Sequence, residues 1–330
     1  MDTFYHFEIL ITLFVQNLGE WLNGPMKAIS FLGQEEFFLI LMPALYWCVD
    51  STAGFRIALM LLLTNGINGF FKFVFHGPRP YWYSSKVTPL GSAETSFGAP
   101  SGHAQNSVIV WGTLADRIKK RWFWVVAIII MFMIGLSRIY LALHFPHDVL
   151  LGWIVGAILL WLMLKLEKPV IKWINKYGTG IQLLLIFLFS LGLILLVMIA
   201  QLSMNGWVLP ADWVNNAQVA FPEEPVINPL SFHNFLSSTG AFFGLAAGWI
   251  WITKQGGFTT KDEAWKLVLR YFLGVVGVLI LYIGLGSLFT DSETFVSYSL
   301  RYIRYALIGF WMSGFAPWIF VKLKIARRRI

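Results

Sequence analysis

Long apolar runs recur along the whole chain and constrain its fold more than any other feature. They lie at 37–49, 55–71, 104–115, 122–136, 148–164, 181–202, 236–253, 268–289 and 305–321. Several approach the roughly 20 residues that a helix needs to cross a bilayer. Charged residues make up only 13% of the chain, about half the share found in soluble proteins. The sequence therefore predicts an all-α, polytopic helical membrane bundle with about nine transmembrane helices.

The apolar segment FYHFEILITLFVQNL (4–18) requires a separate interpretation. It contains Glu8 and has no basic stretch ahead of it, whereas a secretory signal peptide begins with basic residues. We interpret the segment as an N-terminal interfacial helix. A tenth membrane span is the alternative interpretation.

The basic residues are concentrated in alternate loops. Arg56 and the ranges 116–121, 165–176, 254–270 and 322–330 hold 18 of the 25 lysines and arginines, but only five of the 17 acidic residues lie in or beside them. Loops rich in lysine and arginine face the cytoplasm. Nine spans then place the N-terminus on the extracytoplasmic side and the C-terminus in the cytoplasm. The net charge of +8 thus reflects topology and argues against nucleic-acid binding.

A second set of ionisable residues falls on the extracytoplasmic side of this topology. Ionisable groups at membrane level are costly, and they indicate function by default. Arginine offers a planar fork of donors that matches phosphate oxygens, and lysine adds a compact charge. The set predicts a site that processes an anion, and its members are Lys72, Arg79, His103, Arg138, His144 and Asp148.

The stretch PSGH (100–103) precedes one of the apolar runs. Ser101 is a suitable N-cap, and Gly102 lets the backbone approach a ligand closely. Backbone N–H groups at such a helix start bind phosphate, and His103 could give a proton to the bound anion. The alternative is an ordinary capped helix with an incidental histidine. Further on, Asp148 lies four residues after His144 and is spaced to fix the tautomer of that imidazole.

Three sequence patterns resemble the type-2 phosphatidic acid phosphatase family, whose signature is K-x6-R-P, P-S-G-H and S-R-x5-H-x3-D. The first pattern matches Lys72, Arg79 and Pro80, and the second matches residues 100–103. The third matches Ser137, Arg138, His144 and Asp148. All three occur in order and with the family's spacing.

The resemblance implies a polytopic membrane phosphatase that works through a phosphohistidine. His144 would attack phosphorus, Asp148 would orient it, and His103 would protonate the leaving alcohol before water hydrolyses the intermediate. The phosphoryl oxygens would be held by Lys72, Arg79, Ser101, Gly102 and Arg138. The resemblance implies no metal and no cofactor. The expected partners are a phosphate substrate and membrane lipids.

The patterns identify the chemistry better than the substrate. Most similar proteins act on lipid or isoprenoid phosphates, and Asp148 follows their consensus, so we favour such a substrate. The stretches RPYW and SRIYLALHFPH resemble the glucose-6-phosphatase branch, where glutamine stands in place of Asp148. A small sugar phosphate is therefore the alternative. A non-enzymatic lipid-binding or transport protein is a third class, but no catalytic residue is missing.

We divide the chain into an N-terminal interfacial segment (1–36), a catalytic membrane core (37–166) and accessory transmembrane helices (167–330). The polar loop 203–235 could cap the site or be a passive connector. Tyr81, Trp82 and Tyr83 are typical of an interfacial aromatic belt, and lining a substrate entrance is the alternative. No Asn-x-Ser/Thr acceptor is present, which favours a bacterial cell membrane. His76 and His147 occupy variable positions of the patterns, where a spacer or helper is more common than a catalyst.

Overall fold

The computed structural model describes residues 2–224, 226–287 and 293–329, and it confirms an all-α architecture. The helices are α1 (Asp2–Gln16), α2 (Asn23–Phe31), α3 (Glu35–Ala44), α4 (Ser51–Phe75), α5 (Pro80–Tyr83), α6 (Gly102–Ile118), α7 (Arg121–Tyr140), α8 (Pro146–Ile174), α9 (Thr179–Leu202), α10 (Ala211–Ala220), α11 (His233–Lys254), α12 (Ala264–Leu279), α13 (Phe295–Phe310) and α14 (Ala316–Lys322). Helices α3, α12 and α13 continue into π-helical turns at Leu45–Val49, Ile280–Gly284 and Trp311–Phe315.

Within the described residues, six helical stretches are long and apolar enough to cross a membrane. They are Ser51–Tyr83, Arg121–Tyr140, Pro146–Ile174, Thr179–Leu202, His233–Lys254 and Ala264–Gly284. A broken pair, Glu20–Phe31 with Glu36–Val49, makes a seventh if it is counted as one span. The chain is therefore an integral membrane protein with multiple helical spans.

The remaining predicted apolar runs also fall on helices. The run 104–115 lies in α6, whose 17 residues are about 26 Å long. The run 305–321 covers parts of α13 and α14 and the π-helical turn between them. The last two residues of the run 268–289 lie outside the described residues. The number of nine spans stays a prediction.

The chain forms two compact units, and the first consists of Met1–Phe37, Ile67–Leu162 and Leu196–Ser231. Within it, α1, α2 and α6 pack on α7, and α10 packs on α5. Small residues of α8 allow it to lie close to α6: a Cβ atom on Gly152 would lie 2.5 Å from the carbonyl oxygen of Ser101, and one on Gly156 would lie 2.9 Å from that of Gln105. This close approach brings the first turns of α6 and α8 together.

The second unit consists of Phe38–Gly66, Met163–Leu195 and Phe232–Ile330. Its α11 and α13 pack backbone to backbone. At Gly244 of α11 a Cβ atom would lie only 1.8 Å from the carbonyl oxygen of Ala306 in α13, so only glycine fits there. Arg270 is fully buried and donates to the carbonyl oxygens of Ile325 and Thr259. These contacts fix the chain after α14 within the unit. The three-segment division made from the sequence stays a prediction.

Candidate active site

The predicted site residues stand at the ends of helices within the first unit. Lys72 lies in the last turn of α4, and Arg79 is the N-cap of α5, where Pro80 takes the first helical position. Proline fits there because its missing N–H would be unpaired anyway. Arg138 lies in the last turn of α7, and His144 lies in the turn that leads into α8.

Helix α6 begins at Gly102, as the PSGH stretch predicts. The Ser101 hydroxyl accepts a hydrogen bond from the N–H of Ala104 at 3.5 Å, which makes it the N-cap. The N–H of Ser101 itself donates to the carbonyl oxygen of Asp148 at 2.8 Å. The start of α6 is therefore tied directly to the first turn of α8.

Arg79 is fully buried and makes a dense set of hydrogen bonds. Its Nε donates to the carbonyl oxygen of Ser96 at 2.7 Å, and its Nη1 donates to that of Leu143 at 3.0 Å. Nη1 also lies 3.3 Å from Nε2 of His144. The arginine is thus held rigidly with one donor beside the predicted nucleophile.

Glu94 bridges the two buried arginines. Its Oε2 lies 3.2 Å from Nη2 of Arg79, and its Oε1 lies 2.7 Å from Nη2 of Arg138. Nη1 of Arg138 donates to the hydroxyl of Ser30 at 2.9 Å. Burial alone would raise the pKa of Glu94, but the charges of Arg79 and Arg138 lower that pKa to about 2. Glu94 is therefore an anion that already holds the arginines together.

His144 and Asp148 face each other, and both are buried. Nδ1 of His144 lies 3.4 Å from Oδ2 of Asp148, and that oxygen accepts the N–H of Phe145 at 2.9 Å. Burial lowers the pKa of His144 well below its usual range, and the positive charges of Arg79, Arg138 and Lys72 lower it further. The imidazole is therefore neutral at physiological pH, and its Nε2 is available as a nucleophile.

Lys72 and His103 complete the set. Nζ of Lys72 donates to the hydroxyl of Ser96 at 2.8 Å and to the carbonyl oxygen of Phe97 at 2.6 Å. His103 lies in the first turn of α6, and its Nε2 is buried without a hydrogen bond to any described residue. A buried imidazole nitrogen without a protein partner is suited to exchanging a proton with a ligand.

Sequence reasoning did not single out Glu94, Ser96 or Ser30. Glu94 and Ser96 lie in the loop GSAETSFGAPS (91–101), where acidic and hydroxyl residues usually face water. The only available signal was their position between two parts of the phosphatase pattern. Ser30 lies far from every part of that pattern, and no feature of the sequence marks it.

The prediction of an interfacial aromatic belt is wrong for Tyr81 and Trp82, which are 1% and 0% exposed. Helix α10 packs on α5, and its Asn216 amide donates to the carbonyl oxygen of Trp82 at 3.0 Å. The hydroxyl of Tyr81 bonds to the backbone of Glu94 at 3.0 Å. The two rings therefore support the loop that carries Glu94.

Comparison with known proteins gives matches along most of the chain. Residues 53–172, which contain all the predicted site residues, match the profile of the PAP2 superfamily, and residues 236–328 match its phosphatase transmembrane extension. Glucose-6-phosphatase 3 of Bos taurus is 27% identical, with 92% of each chain covered. Glucose-6-phosphatase 3 of Mus musculus is 30% identical over 63% of this chain and 68% of its own. Among solved structures, a PAP2-type phosphatidylglycerolphosphate phosphatase from Bacillus subtilis is similar, with 25% identity, a TM-score of 0.44, and coverage of 52% of this chain and 89% of its own.

Proposed function

Because this chain belongs to the PAP2 superfamily of metal-independent membrane phosphatases, we propose that it hydrolyses a soluble sugar phosphate of the glucose 6-phosphate type. The observation that carries this substrate class is the alignment with a glucose-6-phosphatase along 92% of both chains. That alignment also includes residues outside 53–172 and 236–328, the two ranges that match the superfamily models. The substrate favoured from the sequence patterns alone, a lipid or isoprenoid phosphate, becomes the second candidate.

The reaction begins with attack by His144. Its Nε2 forms a bond to phosphorus while the bond from phosphorus to the sugar oxygen breaks, and His103 gives its proton to that leaving oxygen. Asp148 stabilises the positive charge that develops on the imidazole, because its Oδ2 lies 3.4 Å from Nδ1. Water then attacks phosphorus and returns a proton to His103, and the P–N bond breaks to release phosphate and neutral His144.

The phosphoryl oxygens are bound by the cations and by the start of α6. Arg79 and Arg138 present guanidinium groups on both sides of Glu94, and Lys72 adds a third positive charge. Ser101 and Gly102 contribute the donors of a helix N-terminus. Fixed donors of this kind stabilise the charge of the transferring phosphoryl group.

The proposed topology puts this site at the extracytoplasmic face of the membrane. We assign nine spans, with α1 at the interface, the N-terminus extracytoplasmic and the C-terminus cytoplasmic, in a bacterial cell membrane. The predicted catalytic core (37–166) contains the site residues, between the interfacial segment (1–36) and the accessory helices (167–330). The loop 203–235 caps the site, a role that the packing of α10 on α5 supports.

A deletion of α10 tests the cap. We expect it to change KM for a bulky phosphate ester more than for a small one, because a cap contacts the part of the substrate that is far from phosphorus. If the deletion left the KM of the bulky ester and the KM of the small ester unchanged, this role would be excluded.

The second candidate substrate is a lipid or isoprenoid phosphate, and one residue favours it. Asp148 is the residue of the lipid-phosphatase pattern, where the glucose-6-phosphatase pattern has glutamine. In this chain the aspartate is fully buried and faces His144. Its place in the site makes the difference from the sugar-phosphatase pattern chemically relevant.

One experiment tests both candidates. Phosphate release by the purified full chain is measured in detergent with a chelator, on glucose 6-phosphate, phosphatidic acid and an isoprenyl diphosphate. We expect chelator-resistant release, fastest from glucose 6-phosphate and absent in His144→Ala. Faster release from either lipid would select the second candidate. No release from any of the three by folded protein would contradict both and would favour a non-enzymatic binding or transport role.

A further inference from the structure

Helix α1 brings a carboxylate into the neighbourhood of the active site. Glu8 is only 4% exposed, and its Oε1 accepts the N–H of His147 at 3.0 Å. Its Oε2 is in close contact with Nδ1 of the same histidine. Both oxygens of Glu8 are thus engaged by one residue that is 139 positions further along the chain.

The contacts continue from His147 to the predicted nucleophile. Nε2 of His147 lies 3.1 Å from Oδ1 of Asp148, and Oδ2 of Asp148 lies 3.4 Å from Nδ1 of His144. The four side chains lie in a row of carboxylate, imidazole, carboxylate and imidazole, in which the His147–Asp148 contact is electrostatic and lacks hydrogen-bond geometry. Each of the two oxygens of Asp148 faces a different histidine.

The surroundings hold this row in place. The ring of His147 stacks on Phe145 with centroids 5.7 Å apart, and the rings of Phe4 and Tyr5 lie 5.3 and 5.8 Å from it. The ionisable groups that face His147 are Glu8 and Tyr5 from α1 and Asp148 from its own helix. Two of them are carboxylates, so the arrangement suits an imidazole that offers a proton at each nitrogen.

We propose that Glu8 and His147 are positioning residues for the hydrolysis, acting on His144 through Asp148. Glu8 holds the His147 ring, and Nε2 of that ring attracts Oδ1 of Asp148 electrostatically from 3.1 Å, so that Oδ2 stays directed at Nδ1 of His144. The proposal rests on the proposed phosphohistidine mechanism. It extends the site beyond the phosphatase patterns to α1, a helix to which those patterns assign no chemistry.

A purely structural role of the same contacts has different consequences. If Glu8 only anchored α1, its loss would lower the melting temperature, and it would reduce activity in proportion to the protein unfolded. If it positions Asp148, the folded variant keeps its substrate affinity and loses turnover. The value of kcat per folded molecule, measured well below the melting temperature of each variant, therefore separates the two roles.

The experiment compares Glu8→Gln, His147→Gln and the double variant of the full chain in detergent. The matched control is Glu20→Gln, which neutralises an exposed carboxylate in the same N-terminal region. The substrates are p-nitrophenyl phosphate, a generic phosphomonoester, and glucose 6-phosphate. We expect each single variant to lower kcat by about 10- to 100-fold, the scale of a misplaced catalytic group. KM should stay within about twofold, as for a group that acts only in the transition state.

The double variant should be no slower than the slower single variant, because both residues act through Asp148. Unchanged kcat in folded Glu8→Gln, or losses that multiply in the double variant, would overturn the proposal. If Glu8→Gln does not fold, His147→Gln carries the same expectation for kcat, and unchanged turnover there would overturn it. Wild-type protein that releases no phosphate would overturn the proposed function and this role with it. An active wild type with unaffected variants would overturn only the role of Glu8 and His147.

Discussion

The carboxylate of Glu94 lies 2.7 Å from the guanidinium of Arg138, which follows 44 residues later in the chain. The same carboxylate holds Arg79, and the two arginines are 0% and 2% exposed. We expect Glu94→Gln to lower the free energy of unfolding by about 3 kcal/mol, because it leaves two buried cations without their counter-charge. Thermal or denaturant unfolding in detergent measures this, with exposed Glu223→Gln as the control. Equal losses in both variants would contradict it.

The same ion pairs give the stability a specific dependence on pH. The pKa of Glu94 is lowered from 4.5 to about 2 by its two arginine partners, against the effect of burial. A carboxyl with a lowered pKa in the folded state stabilises the protein above its unfolded pKa, and this contribution disappears as the pH falls from about 4.5 to about 2. The melting temperatures of wild type and Glu94→Gln should therefore converge over that interval. A constant difference between them down to pH 2 would argue against the assignment.

Replacement of Asp148 by asparagine tests the orientation of the nucleophile. Asparagine keeps the size of the side chain but removes the charge that stabilises an imidazolium at His144. We expect kcat to fall by about 10²- to 10⁴-fold with KM nearly unchanged. Initial rates on glucose 6-phosphate check this, and binding of vanadate by the folded variant serves as the control for an intact anion site. A loss smaller than about threefold would remove Asp148 from the mechanism.

Gly98 offers a steric test of the same aspartate. A Cβ atom at this position would lie 2.5 Å from the carbonyl oxygen of Pro78 and 2.9 Å from Oδ2 of Asp148. Gly98→Ala should therefore displace the carboxylate and reduce kcat by about 10-fold or more. The control is Gly180→Ala, where a Cβ atom would meet nothing within 4 Å. If the two variants had the same kcat, Asp148 would tolerate displacement, contrary to the proposed mechanism.

Local sequence patterns predicted the helices and much of the site. Each apolar run falls almost entirely on helix as far as it is described, because burial in a bilayer forces backbone groups to bond within their own segment. Arg79, His144 and Asp148 were predicted from the spacing of three short patterns, and the structure brings them into contact. Their individual roles stay predictions.

Long-range pairing explains what the sequence could not reveal. Glu94 lies in a polar loop and Glu8 in an apolar helix, and neither position has a spacing that connects it with Arg138 or His147. Tyr81 and Trp82 follow the pattern of an interfacial belt, but they are buried because α10 returns to them after more than 100 residues. Such contacts depend on how separate helices pack, and the pattern of one segment does not contain that information.

The first compact unit is assembled from three separate stretches of chain, the last of which is Leu196–Ser231. A ribosome releases α1 first, yet Glu8 has no His147 to bind until the beginning of α8 has been made. The support of Trp82 by Asn216 comes later still. The segments between these stretches belong to the second unit, so synthesis of the first unit is finished only after Phe38–Gly66 and Met163–Leu195 of the second have been made. A fragment that ends after the phosphatase patterns would contain the reacting groups but lack part of the unit that holds them.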